Sequence, residues 1–247
     1  MDIGLFVIVF IVGFVAQILD GALGMGYGVI SSSFLLATGT PPVLVSSSVV
    51  ISKMFTNGAS GLSHLRFGNV DTRLIKSLIP AGIAGGIVGV LLITSLPEGV
   101  ARPFVATYLM LAGIWIIFRG VRGGALRQQP ERATHMAAIG GAGGFFDAIG
   151  GGGWGPVVTT SLVARGNNPR LAIGSAAAAE FFVAITTSMT FFTRLTSFIR
   201  PEIILGLIVG GVLAAPIAAW VCGRVPPRIM MVAIGILIVM ISLSILL

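Results

Sequence analysis

The sequence predicts an all-helical, polytopic membrane protein, and three observations carry that reading. Residues are 55% hydrophobic and only 9% charged, where soluble domains carry roughly 25% charged residues. Several apolar runs reach the roughly 20 residues that a helix needs to cross a bilayer. None shows the residue-by-residue alternation of a membrane barrel.

Taken in order, the first run, Ile3–Leu19, meets a glycine-rich break and resumes as Val29–Ala37. Then come Val43–Leu62, Leu74–Leu96 and Pro103–Phe118, followed by a polar, basic linker, Arg119–Arg132 (RGVRGGALRQQPER). Met136–Ile149, a second break, Val157–Ala164, Leu171–Phe192, Ile203–Cys222 and Ile229–Leu247 complete the chain. The expected organisation is a membrane repeat at 1–118, a cytoplasmic linker at 119–133 and a second membrane repeat at 134–247. The first 30 residues lack the basic start of a cleaved signal peptide and lead directly into the first break.

The breaks define the repeat. Asp20–Gly28 (DGALGMGYG) returns 127 positions later as Asp147–Gly155 (DAIGGGGWG), with the aspartate and three glycines in register. At the same offset Leu35 falls on Leu162, Gly39 on Gly166, Pro42 on Pro169, Ser48 on Ser175 and Phe55 on Phe182. In hydrocarbon, irregular backbone survives only where protein buries it or where it lines a wet cavity. A break recurring in both halves therefore points to a transporter's substrate site. If each break is the tip of a re-entrant hairpin, each half has three crossings and the second half is inverted. If each broken segment spans, the halves are parallel. Positive-inside bookkeeping favours inversion: it places Arg66, Arg73, Lys76, the linker arginines, Arg165, Arg170, Arg224 and Arg228 inside, leaving Arg194 and Arg200 outside.

The net charge of +7 sits mostly at the ends of apolar runs, as topology signals do, so nucleic acid is not an expected partner. The single cysteine, Cys222, excludes an intramolecular disulfide and reads as a small apolar filler in a helix. His64 and His135 read as interfacial residues with no second ligand at metal spacing. No metal or cofactor is expected.

Four ionisable residues lie within apolar segments: Asp20, Lys53, Asp147 and Glu180. A charge at the bilayer centre costs at least about 2.5–3.5 kcal/mol, so such groups face a cavity or a partner. Lys53 and Glu180 occupy equivalent repeat positions with opposite charge, and a two-fold axis in the membrane plane would bring them together. They are expected either to form an ion pair near the midplane or to hold an anion on Lys53 while Glu180 titrates, weighed against a buried pair that only fixes helix register. Asp20 and Asp147 open the breaks, as caps that accept backbone N–H bonds or as proton carriers. Gly24, Gly26, Gly151, Gly152 and Gly153 are the candidate tips, where amides at the positive ends of half-helices can bind an anion. Ser48, Asn57 and Ser175 are polar supplements, weighed against bonding of hydroxyls to their own helix. Thr159, Thr160 and Ser161 follow the second break. Tyr27 and Trp154, equivalent in the repeat, either pack against the tips or meet the substrate. Ala81–Gly89 (AGIAGGIVG) reads as a helix-packing seam.

With these residues in view, the chain resembles the sulfite exporter TauE/SafE family, also called the 4-toluene sulfonate uptake permeases. The likeness rests on the length, the duplicated halves, and a glycine-rich motif early in each half followed by a proline-containing connection. These stand here as DGALGMGYG with Thr40-Pro41-Pro42, and DAIGGGGWG with Asn168-Pro169. The resemblance implies a carrier for sulfite, sulfonates such as sulfoacetate, or related anions in a bacterial plasma membrane. Leu23 and Met25 stand in the first copy where the second has Gly150 and Gly152, so the second tip is expected to offer more backbone donors. Protons are a candidate coupling ion and a homodimer a candidate assembly. The rival class is a channel with a glycine-lined filter, which would show large unitary currents rather than saturable counterflow. An intramembrane enzyme lacks a Ser/His pair or histidine-rich metal set, and no enzymatic activity is expected.

Overall fold

Apolar runs become helices where caps permit, and prolines mark several starts. The computed structural model describes residues 2–122, 133–195, 200–222, 224 and 227–247. Among them, α1 (Ile3–Leu23) begins at Asp2, whose carboxylate accepts the Leu5 amide at 3.1 Å. The chain breaks and resumes as α2 (Tyr27–Ala37), followed by α3 (Pro42–Arg66), α4 (Thr72–Ser95) and α5 (Glu98–Arg122). The second half contains α6 (Ala133–Gly150), a π-helical turn (Gly155–Thr159) continuing into α7 (Thr160–Ala164), then α8 (Pro169–Arg194), α9 (Pro201–Val221) and α10 (Pro227–Leu246). Asp71 and Asn168 cap α4 and α8, and proline opens α3, α8 and α9. The first four linker residues, 119–122, extend α5; residues 123–132 lie outside the described set.

Five helices, α1, α4, α5, α8 and α9, are long and apolar enough to cross a membrane. The chain is thus an all-helical, multi-pass membrane protein. The serine-rich α3 is more polar because it is central: Ser46, Ser47, Ser48, Ser52, Lys53, Thr56 and Asn57 are all buried.

Both breaks turn the chain back on itself. Gly26 has φ +155° and lies against Ala16, Leu19 and Asp20 of α1. Gly153 lies against Phe146 and Asp147 of α6. Gly24 and Gly151 carry φ of 72° and 67°, the left-handed conformation that glycine adopts without a Cβ penalty. In each case the helix runs on into the motif, so Asp20 and Asp147 lie in its last turns, inside the helix rather than at the opening of the break.

Close contacts recur between the halves. Gly13 of α1 lies against Leu207 of α9, and its repeat equivalent Gly140 of α6 lies against Leu78 of α4. Gly21 meets Ala218, while Gly89 meets Ala148. Each half thus lends its first helix to the other half's fourth. On α3 and α8, Gly58 approaches Phe181, Gly61 approaches Ala178, and His64 approaches Gly174. Numbers rise on one helix as they fall on the other, so the two run antiparallel.

The Ala81–Gly89 stretch is a packing seam. Gly85 abuts the Gly141 carbonyl, Gly89 that of Phe145, and Gly82 the Trp154 ring, while Gly144 of α6 presses on the Gly82 backbone. A methyl at Gly144 would meet backbone that cannot move aside. Gly144→Ala is therefore expected to lower thermal stability in detergent by about 1–3 kcal/mol, measured by melting of the purified protein. Gly99→Ala, with nothing within 4 Å, should leave the melt unchanged.

Candidate functional site

The ionisable residues of the apolar segments converge where α3 and α8 cross. Lys53 Nζ donates to Glu180 Oε1 at 2.7 Å and to Asp147 Oδ1 at 2.5 Å. All three side chains are nearly excluded from solvent. The pairing of equivalent positions 53 and 180 is as the repeat predicts, and it places them where the halves meet. The bond to Asp147 is additional. It comes from α6, which α4 holds beside α3 through the glycine seam.

Each tip is closed by its own carboxylate. Asp20 Oδ1 accepts the Tyr27 amide at 3.2 Å. Asp147 Oδ1 accepts the amides of Gly153 at 3.0 Å and Trp154 at 3.2 Å. Both aspartates thus act as caps, and Asp147 also holds the lysine. The two tips touch. Gly28 sits so near the Gly151 carbonyl, Gly152 Cα and Lys53 Nζ that no side chain fits there, and Gly155 lies against Gly24 and Met25. Gly24, Gly26, Gly151, Gly152 and Gly153 are therefore gathered at one place beside the charged cluster. The amides of Gly153 and Trp154 are already engaged by Asp147, so the second tip's larger glycine content does not translate directly into more free donors.

The two aromatics are buried and their polar ends are occupied. The Tyr27 hydroxyl donates to the Leu207 carbonyl at 3.0 Å, and Trp154 Nε1 donates to the Ala176 carbonyl at 3.0 Å. This geometry is that of tip packing. Ser175 lies away from the crossing, where its hydroxyl accepts the Asp71 amide at 2.7 Å at the α3–α4 connection. Ser48 is buried with its hydroxyl unpartnered among the described residues. Asn57, one turn beyond Lys53, is buried with its amide nitrogen similarly unpartnered. Thr160 bonds the Pro156 carbonyl within its own turn.

His64 is packed inside the protein rather than facing outward. It is fully buried at the α3 end, with Nδ1 3.3 Å from Asn69 Nδ2, because α8 packs Gly174 directly against it. His135 is exposed and lies 2.9 Å from Arg165. Cys222 is buried but caps α9 just past the helix end.

Two polar features, Gln17 and the serines of α2, escaped the sequence reading. Gln17, one turn before Asp20, is fully buried with neither amide atom partnered among the described residues. Ser31 and Ser32 on α2 are in the same position, and Ser32 Oγ faces Gly151. Ser46 donates to the Ile149 carbonyl at 2.5 Å, tying α3 to the last turn of α6. Gln17 one turn before the first motif and the serine run Ser31–Ser33 just after it were the available signals.

The family model for the sulfite exporter TauE/SafE matches residues 9–245. A probable membrane transporter protein of Bacillus subtilis, YtnM, is 37% identical over 237 residues, covering 94% of this chain and 79% of that protein. A probable membrane transporter protein of Haemophilus influenzae is 29% identical, covering 66% of this chain and 65% of its own. The probable membrane transporter protein ORF9 of a Sinorhizobium species is 30% identical over 44% of this chain and 39% of its own. No solved structure matches. With nearly its whole length matched, the chain belongs to the sulfite exporter TauE/SafE family of membrane transporters.

Proposed function

We propose that the chain is a secondary transporter that moves a small sulfur-containing anion, sulfite or a sulfonate such as sulfoacetate, by alternating access across a bacterial plasma membrane. The observation that carries this reading is the meeting of the two glycine tips beside Lys53. First-turn amides of a helix have no acceptor within it, and such ends favour negative charge. The antiparallel packing of equivalent helices α3 and α8 supports an inverted repeat, with its two-fold axis in the membrane plane through Lys53 and Glu180. Rocking one half against the other would then expose the tips to either side in turn.

The charge count suggests coupling to protons. The centre gathers one ammonium and three carboxyl groups, since Asp20 borders Gly28 through Tyr27. An anion approaching three carboxylates is repelled. When Glu180 carries a proton, its hold on Lys53 weakens and the ammonium can face the anion. Anion and proton then enter together, each making the other's binding favourable.

Two tests follow. In proteoliposomes holding a panel of sulfite, thiosulfate, sulfonates and carboxylates, saturable counterflow is expected for sulfite or a sulfonate; large unitary currents, or flux of carboxylates alone, would contradict the reading. Glu180→Gln should retain counterflow yet lose accumulation driven by a pH gradient, and accumulation at the unaltered rate would remove Glu180 from coupling. Lys53→Met strips both carboxylates of their partner, so a loss of about 3–5 kcal/mol in stability is expected, read by thermal melting.

A further inference from the structure

We infer that the hydrocarbon chain of a membrane lipid occupies a cavity between the arms of the first hairpin. The cavity measures about 310 Å³ and lies among α1, α2 and α10, lined by Val12, Val15, Ile30, Ser33, Phe34 and Leu237. Ser33 is the single polar residue of the lining. Val15 and Leu237 are about half exposed, at 49% and 48%, on helices whose outer faces are turned to lipid.

The internal repeat shows that this place requires a filler. Gly113 of α5 and Gly235 of α10 each approach the other's carbonyl oxygen, and Gly113-Ile114 matches Gly235-Ile236 at an offset of 122, five fewer than around the breaks, which sets these two positions side by side in the repeat. Two residues further on stand Trp115 and Leu237. On the hairpins, Ser33 corresponds to Thr160 at the repeat offset. In the second half, Trp115 Nε1 donates to Thr160 Oγ1 in a long bond of 3.4 Å, and the indole covers the returning arm. In the first half a leucine stands in place of the indole, the Ser33 hydroxyl has no partner among the described residues, and a cavity is left. Water does not suit it, because a buried water needs two to four polar partners. An empty space would forfeit dispersion contacts along its whole lining. An acyl chain entering from the lipid side supplies those contacts. One hairpin thus carries its wedge as a side chain and the other borrows its wedge from the bilayer, so membrane composition bears on the spread of α1 and α2 alone.

The test uses the full chain in phosphatidylcholine vesicles containing a phosphatidylcholine with a diazirine in its acyl chain, with labelled residues mapped by mass spectrometry. Ile30 and Phe34 are expected to be labelled, as is the lipid-facing Ile8, which is 50% exposed. Leu237→Trp, which restores the indole, should abolish labelling at Ile30 and Phe34 and leave Ile8 labelled. Val15→Phe closes the cavity from the α1 side and serves if the first variant does not fold. Unlabelled Ile30 and Phe34 in the unaltered chain, or labelling there that survives in a folded variant, would overturn the inference.

Discussion

A single buried ammonium ties the two halves where their central helices cross. Lys53 reaches Glu180 on α8 and Asp147 on α6, so one side chain of the first half engages two elements of the second. Such a cluster is costly to assemble in a low-dielectric interior, because desolvation offsets much of the attraction. It persists where geometry and extra hydrogen bonds are good, and here Asp147 accepts two tip amides besides the lysine. Removing a partner leaves an uncompensated charge. The crossing of α3 and α8 is therefore fixed by electrostatics as much as by packing, which suits a helix whose inner face is serine, threonine and asparagine.

The glycines follow from that crossing. Two chain reversals must meet beside the lysine, and their backbones approach to the point where a single methyl would overlap. Only glycine allows the left-handed turns at Gly24 and Gly151 together with the close approach at Gly28. The surrounding seams obey the same economy. With no hydrophobic drive between helices in lipid, close backbone contact supplies the association, and the α1–α9 and α4–α6 pairs are built on glycine and alanine.

Much of this was legible in the residues. Interrupted apolar runs gave the two breaks in the helices, and matches at one offset around them gave the repeated motif. Opposite charges at equivalent positions gave the Lys53–Glu180 pair. Helix ends were read short because polar residues such as Arg66 and Arg122 end a hydropathy run before they end a helix. The Asp147 bond to Lys53 has no local signature: the two are far apart in sequence and are joined only by the path of α4 beside α6. Ser175 illustrates the opposite error. Its match to Ser48 is real, but seven residues into α8 it lies beyond the crossing, within reach of the α3–α4 connection. Tyr27 and Trp154 match as well, yet burial and occupied polar ends make them pillars of the tips. The π-helical turn at Gly155–Thr159 starts beside Pro156, which has no N–H to give, a departure that periodicity alone does not reveal.

The most direct measurement is the stability of a charge exchange between positions 53 and 180. Lys53→Glu and Glu180→Lys are each made alone and then together, and thermal melting in detergent is compared. If the halves are related by a two-fold axis through these positions, Asp20 stands to residue 180 as Asp147 stands to residue 53, and the exchanged pair finds an equivalent setting. The account predicts that each single reversal destabilises the protein strongly and that the exchange restores most of the loss. Single reversals that melt like the unaltered protein, or an exchange no more stable than either alone, would contradict it.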